Sequence, residues 1–269
     1  SLALAKIGLV HARAGEKIDL ELDNKEQFCH TLIIAESNSI VNVAESASGN
    51  EAYKSNFVEI FAASNAKVNF ACVQNTSTGN FVSGKYASVE KDASVNWFDA
   101  SIGASFAKSS VVSYLQGRGA ETKNLGLFIG KGVQQFDLYS AAIHNAEETK
   151  SDILMKGVLK DRARGLYRGL VKIDEKAAWS DGYQKEEVLL LSDEAEADAI
   201  PNLEIKNEEV RCTHGASVGN ISKEKLFYLM SRGLNKDDAT NTIVDGFFES
   251  LLNKAGALGM KNLIMESLR

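Results

Sequence analysis

A repeat of fixed length constrains this chain more than any other feature. Ser37-Asn38-Ser39-Ile40-Val41-Asn42-Val43, Ser64-Asn65-Ala66-Lys67-Val68-Asn69-Phe70 and Lys91-Asp92-Ala93-Ser94-Val95-Asn96-Trp97 share one pattern, [Asn/Asp]-[Ser/Ala]-x-Val-Asn-apolar, and start 27 residues apart. Gly119-Ala120-Glu121-Thr122-Lys123 holds the next slot, and Glu148-Thr149-Lys150 repeats its last three residue types after another 27. Gly103, Gly130 and Gly157 form a second column with that spacing. A period of this size marks a solenoid or array. Its units, such as Phe57 to Phe61 and Val68 to Val73, are rich in Val, Ile and Phe and lack helical periodicity, with turn residues every ten or so positions. Helical solenoids are thereby excluded and a β-solenoid is expected. Equivalent positions in successive coils of such a solenoid stack about 4.8 Å apart. Asn42, Asn69 and Asn96 then form a ladder, a structural reading preferred over an Asn-lined substrate groove, and the small residue before each strand keeps the turn tight.

Around the repeat the text divides into three. Ser1 to about residue 16 has no strong period and reads as a short N-terminal segment, the edge of a folded domain; strand-like alternation starts at Ile18, Leu20 and Leu22. Residues 17–220 read as the solenoid, whose repeat blurs after about residue 150 while the strand-and-turn texture continues. Residues 221–269 read as a helical domain. Ser222 caps one helix, Leu226, Leu229 and Met230 fall on one face, and Gly233 ends it. Asn235, with Asp238 at the capping-box position, opens a second helix. Its stripe of Ala239, Ile243, Phe247 and Leu251, widened by Phe248 and Leu252, is expected to cap the solenoid end, to bind a partner, or both.

Composition removes several function classes. With 30 Lys+Arg against 36 Asp+Glu, the net charge of −6 argues against a general nucleic-acid or anionic-membrane binder. No apolar run reaches the roughly 18 to 20 residues of a membrane span, and the start has no charged region ahead of an apolar one, so a cytoplasmic protein is expected. Cys29, Cys72 and Cys212 are too few and scattered for a disulfide framework and read as free thiols. There is no phosphate-cradling Gly-x-x-x-x-Gly-Lys-[Ser/Thr], no Ser/His/Asp arrangement and no zinc spacing, so catalysis is not expected in this chain.

The candidate site lies where strand-like text gives way to helical text, at Val210-Arg211-Cys212-Thr213-His214-Gly215-Ala216-Ser217-Val218-Gly219. Cys212 and His214, two residues apart on a strand, share a face and present a soft sulfur beside an imidazole. Two ligands are fewer than a metal or cluster site needs. Cys29 and His30 are neighbours that point to opposite faces, so one belongs to the core. Cys72 reads as a small buried hydrophobe and His144 as a solvated turn residue. Arg162, Arg164 and Arg168 are expected to be solvated or paired with carboxylates. Ser231-Arg232-Gly233 reads as a helix end, or more sharply as a contact with a partner.

From Ser151 to Phe248, about a third of the chain, the residues resemble the SufB/SufD scaffold proteins of iron–sulfur cluster assembly. The resemblance is carried, in order and spacing, by Lys156-Gly157-Val158-Leu159, Ala163-Arg164-Gly165-Leu166-Tyr167-Arg168-Gly169, Pro201-Asn202-Leu203-Glu204-Ile205, the Cys212–His214 stretch, and Leu226-Phe227-Tyr228-Leu229-Met230-Ser231-Arg232-Gly233-Leu234. It implies a right-handed parallel β-helix followed by a small C-terminal α-helical domain. The Cys-x-His-Gly form looks like the SufD branch, since SufB has Glu where this chain has Gly215, and a cysteine where this chain has Ala195. The resemblance further implies pairing with a SufB-like subunit, or with itself, through the 203–219 strand region, and binding of a SufC-type ABC ATPase through 221–269. His214, with Cys212, is then a candidate ligand of a transient iron–sulfur cluster shared with the partner. Longer members carry an extended helical N-terminal region, whereas about fifteen residues precede the first strand-like run here. Two rivals stand beside this expectation. One is a β-helix polysaccharide lyase or hydrolase, disfavoured because Asp and Glu fall mostly in turns; the other is a stand-alone homodimeric scaffold.

Overall fold

A computed structural model describes residues 5–255. Sixteen strands alternate between two parallel sheets. One holds β1 (Ala5–Ala12), β3 (Phe28–Ala35), β5 (Tyr53–Ala62), β7 (Asn80–Val89), β9 (Phe106–Leu115), β11 (Gln135–His144), β13 (Arg164–Ile173) and β15 (Glu196–Ile205), in that order. The other holds β2 (Lys17–Asn24), β4 (Ile40–Gly49), β6 (Lys67–Thr76), β8 (Ser94–Ser101), β10 (Glu121–Gly130), β12 (Lys150–Leu159), β14 (Asp181–Leu190) and β16 (Arg211–Asn220). Each strand pairs with the strands two before and two after it, so the chain winds through eight coils of a parallel β-solenoid.

The repeat is written into one corner of the coil. Gly15, Asn38, Asn65, Asp92, Gly119, Glu148 and Trp179 all have positive φ between 54° and 76°. Gly, Asn and Asp adopt this left-handed conformation most readily, which accounts for the first repeat position. The corner amides bond the next coil, as in Asn38 N to Ser64 O (3.1 Å), Asn65 N to Lys91 O (2.9 Å) and Asp92 N to Arg118 O (3.0 Å). The small residue that follows, Ser39, Ala66, Ala93 or Ala120, is fully buried inside the bend. The asparagine ladder is present: Asn69 Nδ2 donates to Asn42 Oδ1 (2.7 Å) and Asn96 Nδ2 to Asn69 Oδ1 (2.9 Å). Asn42 in turn donates to Asp19, which extends the ladder to β2.

Two parts of the repeat are corrected. Lys67 opposes Ser94 and Ser94 opposes Glu121, at 27 residues each, but Glu121 opposes Lys150, 29 residues on. Lys150 then opposes Asp181, and Asp181 opposes Arg211. The coil has lengthened, so Glu148-Thr149-Lys150 is out of register with Glu121-Thr122-Lys123. The glycine column also disperses, because Gly130 opposes Leu159 and Gly157 opposes Phe128. Gly157 and Gly165 instead make room for the buried Phe128 ring, which a Cβ at Gly157 would meet at 2.1 Å. The sheet also reaches into the segment before residue 17. There β1 pairs with β3, burying Val10 and Ala12 while Ile7 and Leu9 stay exposed on an end strand.

Two helices follow the last strand, α1 (Lys223–Ser231) and α2 (Lys236–Ala255). Ser222 caps α1, Gly233 follows it with φ 100°, and Asn235 Oδ1 accepts from Asp238 N (2.9 Å) at the start of α2. The apolar stripe of α2 does not cap the solenoid end. Phe248, Leu251, Leu252 and Ala255 pack on Ala71, Val73, Phe98, Leu125 and Leu127, on the outer face of the even-numbered sheet. Outward small and aliphatic side chains on β6, β8 and β10 make that face the apolar surface available. Lys156 Nζ fastens the helix by donating to Phe247 O (2.7 Å), and Lys254 pairs with Asp152 (3.0 Å). In contrast α1 buries no residue, and Phe227 is 74% and Tyr228 57% exposed. No helix among the described residues is long and apolar enough to cross a membrane.

Candidate functional site

The solenoid ends on two strands with one neighbour each: β15 pairs only with β13, and β16 only with β14. Their outer edges carry unpaired backbone donors and acceptors, the surface that sheets use for pairing. Pro201 sits in β15, where a missing N–H is tolerated because the edge is open. The proline therefore belongs to an edge strand, not to a turn.

Register places the two candidate ligands together. Cys212 opposes Gly182 and His214 opposes Gln184. One strand deeper the partners are Ser151 and Ile153, and beyond those Thr122 and Asn124. These columns face the interior of the coil, so Cys212 and His214 face the open mouth of the lumen. Cys212 is half-buried against the cluster of Ala142, Ile153, Val171, Ile173 and Ala177. Gly182 lets it lean in, since a Cβ there would lie 3.1 Å from Cys212 Sγ. Burial, and then the charge of Asp181, push its thiol above the ordinary range. His214 is exposed and makes no hydrogen bond or ion pair among the described residues.

Polar side chains lie directly behind the pair. Gln184 and Glu186 are buried in β14, and Gln184 Nε2 donates to Glu186 Oε1 at 2.8 Å. Gln184 Oε1 and Glu186 Oε2 are buried without a partner. Desolvation pushes the Glu186 carboxyl up to about 7, against the lowering effect of the Gln184 hydrogen bond. His144 overturns its expected solvated place. It is fully buried at the end of β11, with Nδ1 2.8 Å from Thr149 Oγ1 and Nε2 2.9 Å from Ser151 Oγ. Burial pulls it down to about 4. The corner residues that are alanines in earlier coils are Thr149 and Ser180 here, and their hydroxyls, 2.7 Å apart, create the polar niche.

The other sequence candidates stay apart from this mouth. Cys29 is buried, whereas His30 lies on the outer face beside Glu59 (2.8 Å), as opposite-facing neighbours must. Cys72 is fully buried, and burial raises its thiol well above the ordinary value. Arg164 pairs with Glu196 (3.3 Å) and Arg168 with Asp137. Arg232 ends α1 and lies over the Tyr228 ring at 5.3 Å.

Sequence reading missed an ionic layer inside the early coils. Lys85 crosses the lumen to Asp99 (3.0 Å), with Ser109 Oγ also donating to Asp99 (2.7 Å). Lys54 Nζ donates to the carbonyls of Asn24 (2.6 Å) and Ser48 (2.9 Å), and Glu45 accepts from Asn24 and Asn56. Asp99 and the other anions around Lys85 hold its ammonium charged against the cost of burial. A signal was available: Glu45, Cys72 and Asp99 are 27 apart, in an inward column. The statement that acidic residues fall mostly in turns is corrected by Glu45, Asp99 and Glu186, all on strands and all buried.

Among the described residues no group of three or more His, Cys, Asp or Glu is arranged to hold a metal ion. Cys212 and His214 have the donor types of an iron–sulfur site and supply half of a four-ligand set. A complete set needs donors from outside these residues.

Comparison with known proteins agrees with this geometry. The family model described as "SUF system FeS cluster assembly, SufBD core domain" matches residues 19–247. An iron–sulfur cluster assembly SufBD family protein of Staphylococcus saprophyticus is 34% identical over 84% of this chain and 50% of its own length. One from Mycobacterium leprae is 32% identical over 92% of this chain and 30% of its own length. One from Antithamnion sp. is 31% identical over 87% of this chain and 84% of its own length. The chain spans about half the length of the staphylococcal relatives it matches. Its coiled parallel sheets, its terminal Cys-x-His strand and the matched span lead to one assignment: the chain belongs to the SufBD family of iron–sulfur cluster assembly proteins.

Proposed function

We propose that the chain acts in the cytoplasm as a SufD-like scaffold subunit of an iron–sulfur cluster assembly complex. The observation that carries this reading is the open last coil, where half a ligand set faces the mouth of the lumen between two unpaired strand edges. A SufB-like subunit pairs along β15 and β16 and contributes the missing donors. The cluster is cargo, held transiently with Cys212 and His214. The exposed aromatic face of α1 binds a SufC-type ATPase, whose ATP-driven movement shifts the solenoid pair and opens the shared site. Two residues support the SufD branch. Gly215 stands where SufB has Glu, although a Cβ at Gly215 meets nothing within 4 Å, so no steric demand requires glycine. Ala195 stands, buried, where SufB has its cysteine.

Co-purification with SufB-like and SufC-type partners tests each element. Phe227→Asp is expected to release the ATPase and keep the SufB-like subunit. His214→Ala is expected to keep both and to lose the cluster on anaerobic reconstitution. A complex that forms without this chain's last coil would overturn the reading. Mass measurement of the chain alone separates the heteromeric scaffold from a homodimeric one using the same edge.

A further inference from the structure

The buried pair behind the cluster strand has no assigned task. Gln184 is the register partner of His214 on the neighbouring strand, and adjacent parallel strands lie about 4.8 Å apart. Its amide is oriented: the NH2 group donates to Glu186 Oε1 at 2.8 Å. The carbonyl oxygen, Oε1, is left buried and without a partner. A buried acceptor in that condition costs about 1–3 kcal/mol. Across the lumen the coil is shaped around the pair. A Cβ at Gly169 would lie 2.1 Å from Gln184 Nε2 and 2.8 Å from Glu186 Oε1.

We propose that Gln184, locked by Glu186, is the positioning residue for His214: its Oε1 accepts one imidazole N–H, fixes the tautomer and leaves the other ring nitrogen free to bind a metal. An imidazole bound to metal through one nitrogen is held by a hydrogen bond from the other, and a carbonyl oxygen serves as well as a carboxylate. Glu186 acts through the amide. It holds the NH2 group, so that the oxygen is the end left for the histidine. Cys212 has no such support, since its partner Gly182 carries no side chain. This inference rests on the reading of His214 as a ligand, but its first test does not.

That test is the nitrogen chemical shifts of the His214 side chain in the apo protein at pH 8, assigned by loss of the signal in His214→Ala. One predominant neutral tautomer is expected in the wild type. In Gln184→Met, and in the milder Glu186→Gln, the two tautomers are expected to approach the mixture of a solvated imidazole. A mixed population in the wild type, or a ratio unmoved in both variants, overturns the proposal. The second test is iron retention by the reconstituted complex with its partners. Gln184→Met is expected to weaken it about tenfold, as loss of an outer-shell partner does, whereas His214→Ala abolishes it. If His214→Ala retains iron while the tautomer result holds, the ligand reading fails and the positioning role stands. If His214→Ala loses iron and the tautomer is unmoved by either variant, the ligand reading stands and the positioning role fails.

Discussion

The early coils and the last two solve the same problem differently. Both carry polar side chains inside a solenoid whose lumen is mostly Val, Ile, Ala and Phe. In the early coils every ionisable group of the interior meets a partner across or along the lumen: Lys85 with Asp99, Glu45 with Asn24 and Asn56, Lys54 with two carbonyls. At the far end Glu186 Oε2 and Gln184 Oε1 have none, and His214 faces outward beside them. The early coils use polarity to hold themselves together. The last coils keep it unspent at an edge where another chain can reach it. A stable scaffold needs the first arrangement and a shared cargo site needs the second.

Removing Lys85 is the harshest way to break the first arrangement. Lys85→Met leaves Asp99 buried and unpaired, so a loss of about 3–5 kcal/mol is expected in denaturant unfolding. Lys85→Met combined with Asp99→Leu should recover most of it. Recovery close to zero would mean that the layer does not act as an ion pair.

The next test sharpens the contrast by pH. His144 is held down to about 4 from 6.5, so its unfolded form takes the proton first. Stability is therefore full above about 6.5 and falls as pH drops toward 4, by on the order of 3 kcal/mol. Glu186 works in the opposite sense, because a carboxyl raised from 4.5 to about 7 costs stability as pH rises through that window. The slope is best measured in Glu186→Gln, where it should steepen, and it should vanish when His144→Gln is added. An unchanged slope would return His144 to the solvated group that its sequence context suggests.

Packing gives a smaller effect. Gly157→Ala places a methyl group 2.1 Å from Phe128 Cζ, and overpacking of this kind costs about 1–3 kcal/mol. Adding Phe128→Leu should relieve part of the loss. Smallest is the ladder. Asn69→Ala removes the bonds to Asn42 and Asn96 and should cost about 1 kcal/mol. The equivalent test on β10 has no ladder to break, because Lys123 stands where Asn96 stands on β8.

The early coils were legible because each is the same length, so alternation and spacing agreed on Asn42, Asn69 and Asn96. The corner residues could be read one by one, since Asn, Asp and Gly are the types that accept positive φ. The last coils were not, because two to four extra residues per coil shift the register. Gln184 and Glu186 are invisible to a 27-residue comparison, and His144 looks like a turn residue until Thr149 and Ser151 close around it. The stripe of α2 was legible as apolar, but its destination was not. A helix read alone does not say that Ala71, Val73 and Leu125 turn outward from a sheet far back along the coil.

The central claim is that the last coil, and not the first, is where this chain meets the one that completes its site. Both ends leave strands with one neighbour: β1 and β2 at one, β15 and β16 at the other. Hydrogen exchange of the chain alone and in complex with a SufB-like subunit compares them directly. The account predicts new protection of amides in 196–220, centred on β15 and β16, with β1 and β2 unchanged. Protection confined to β1 and β2, or none at β16 in a complex that has formed, would contradict it.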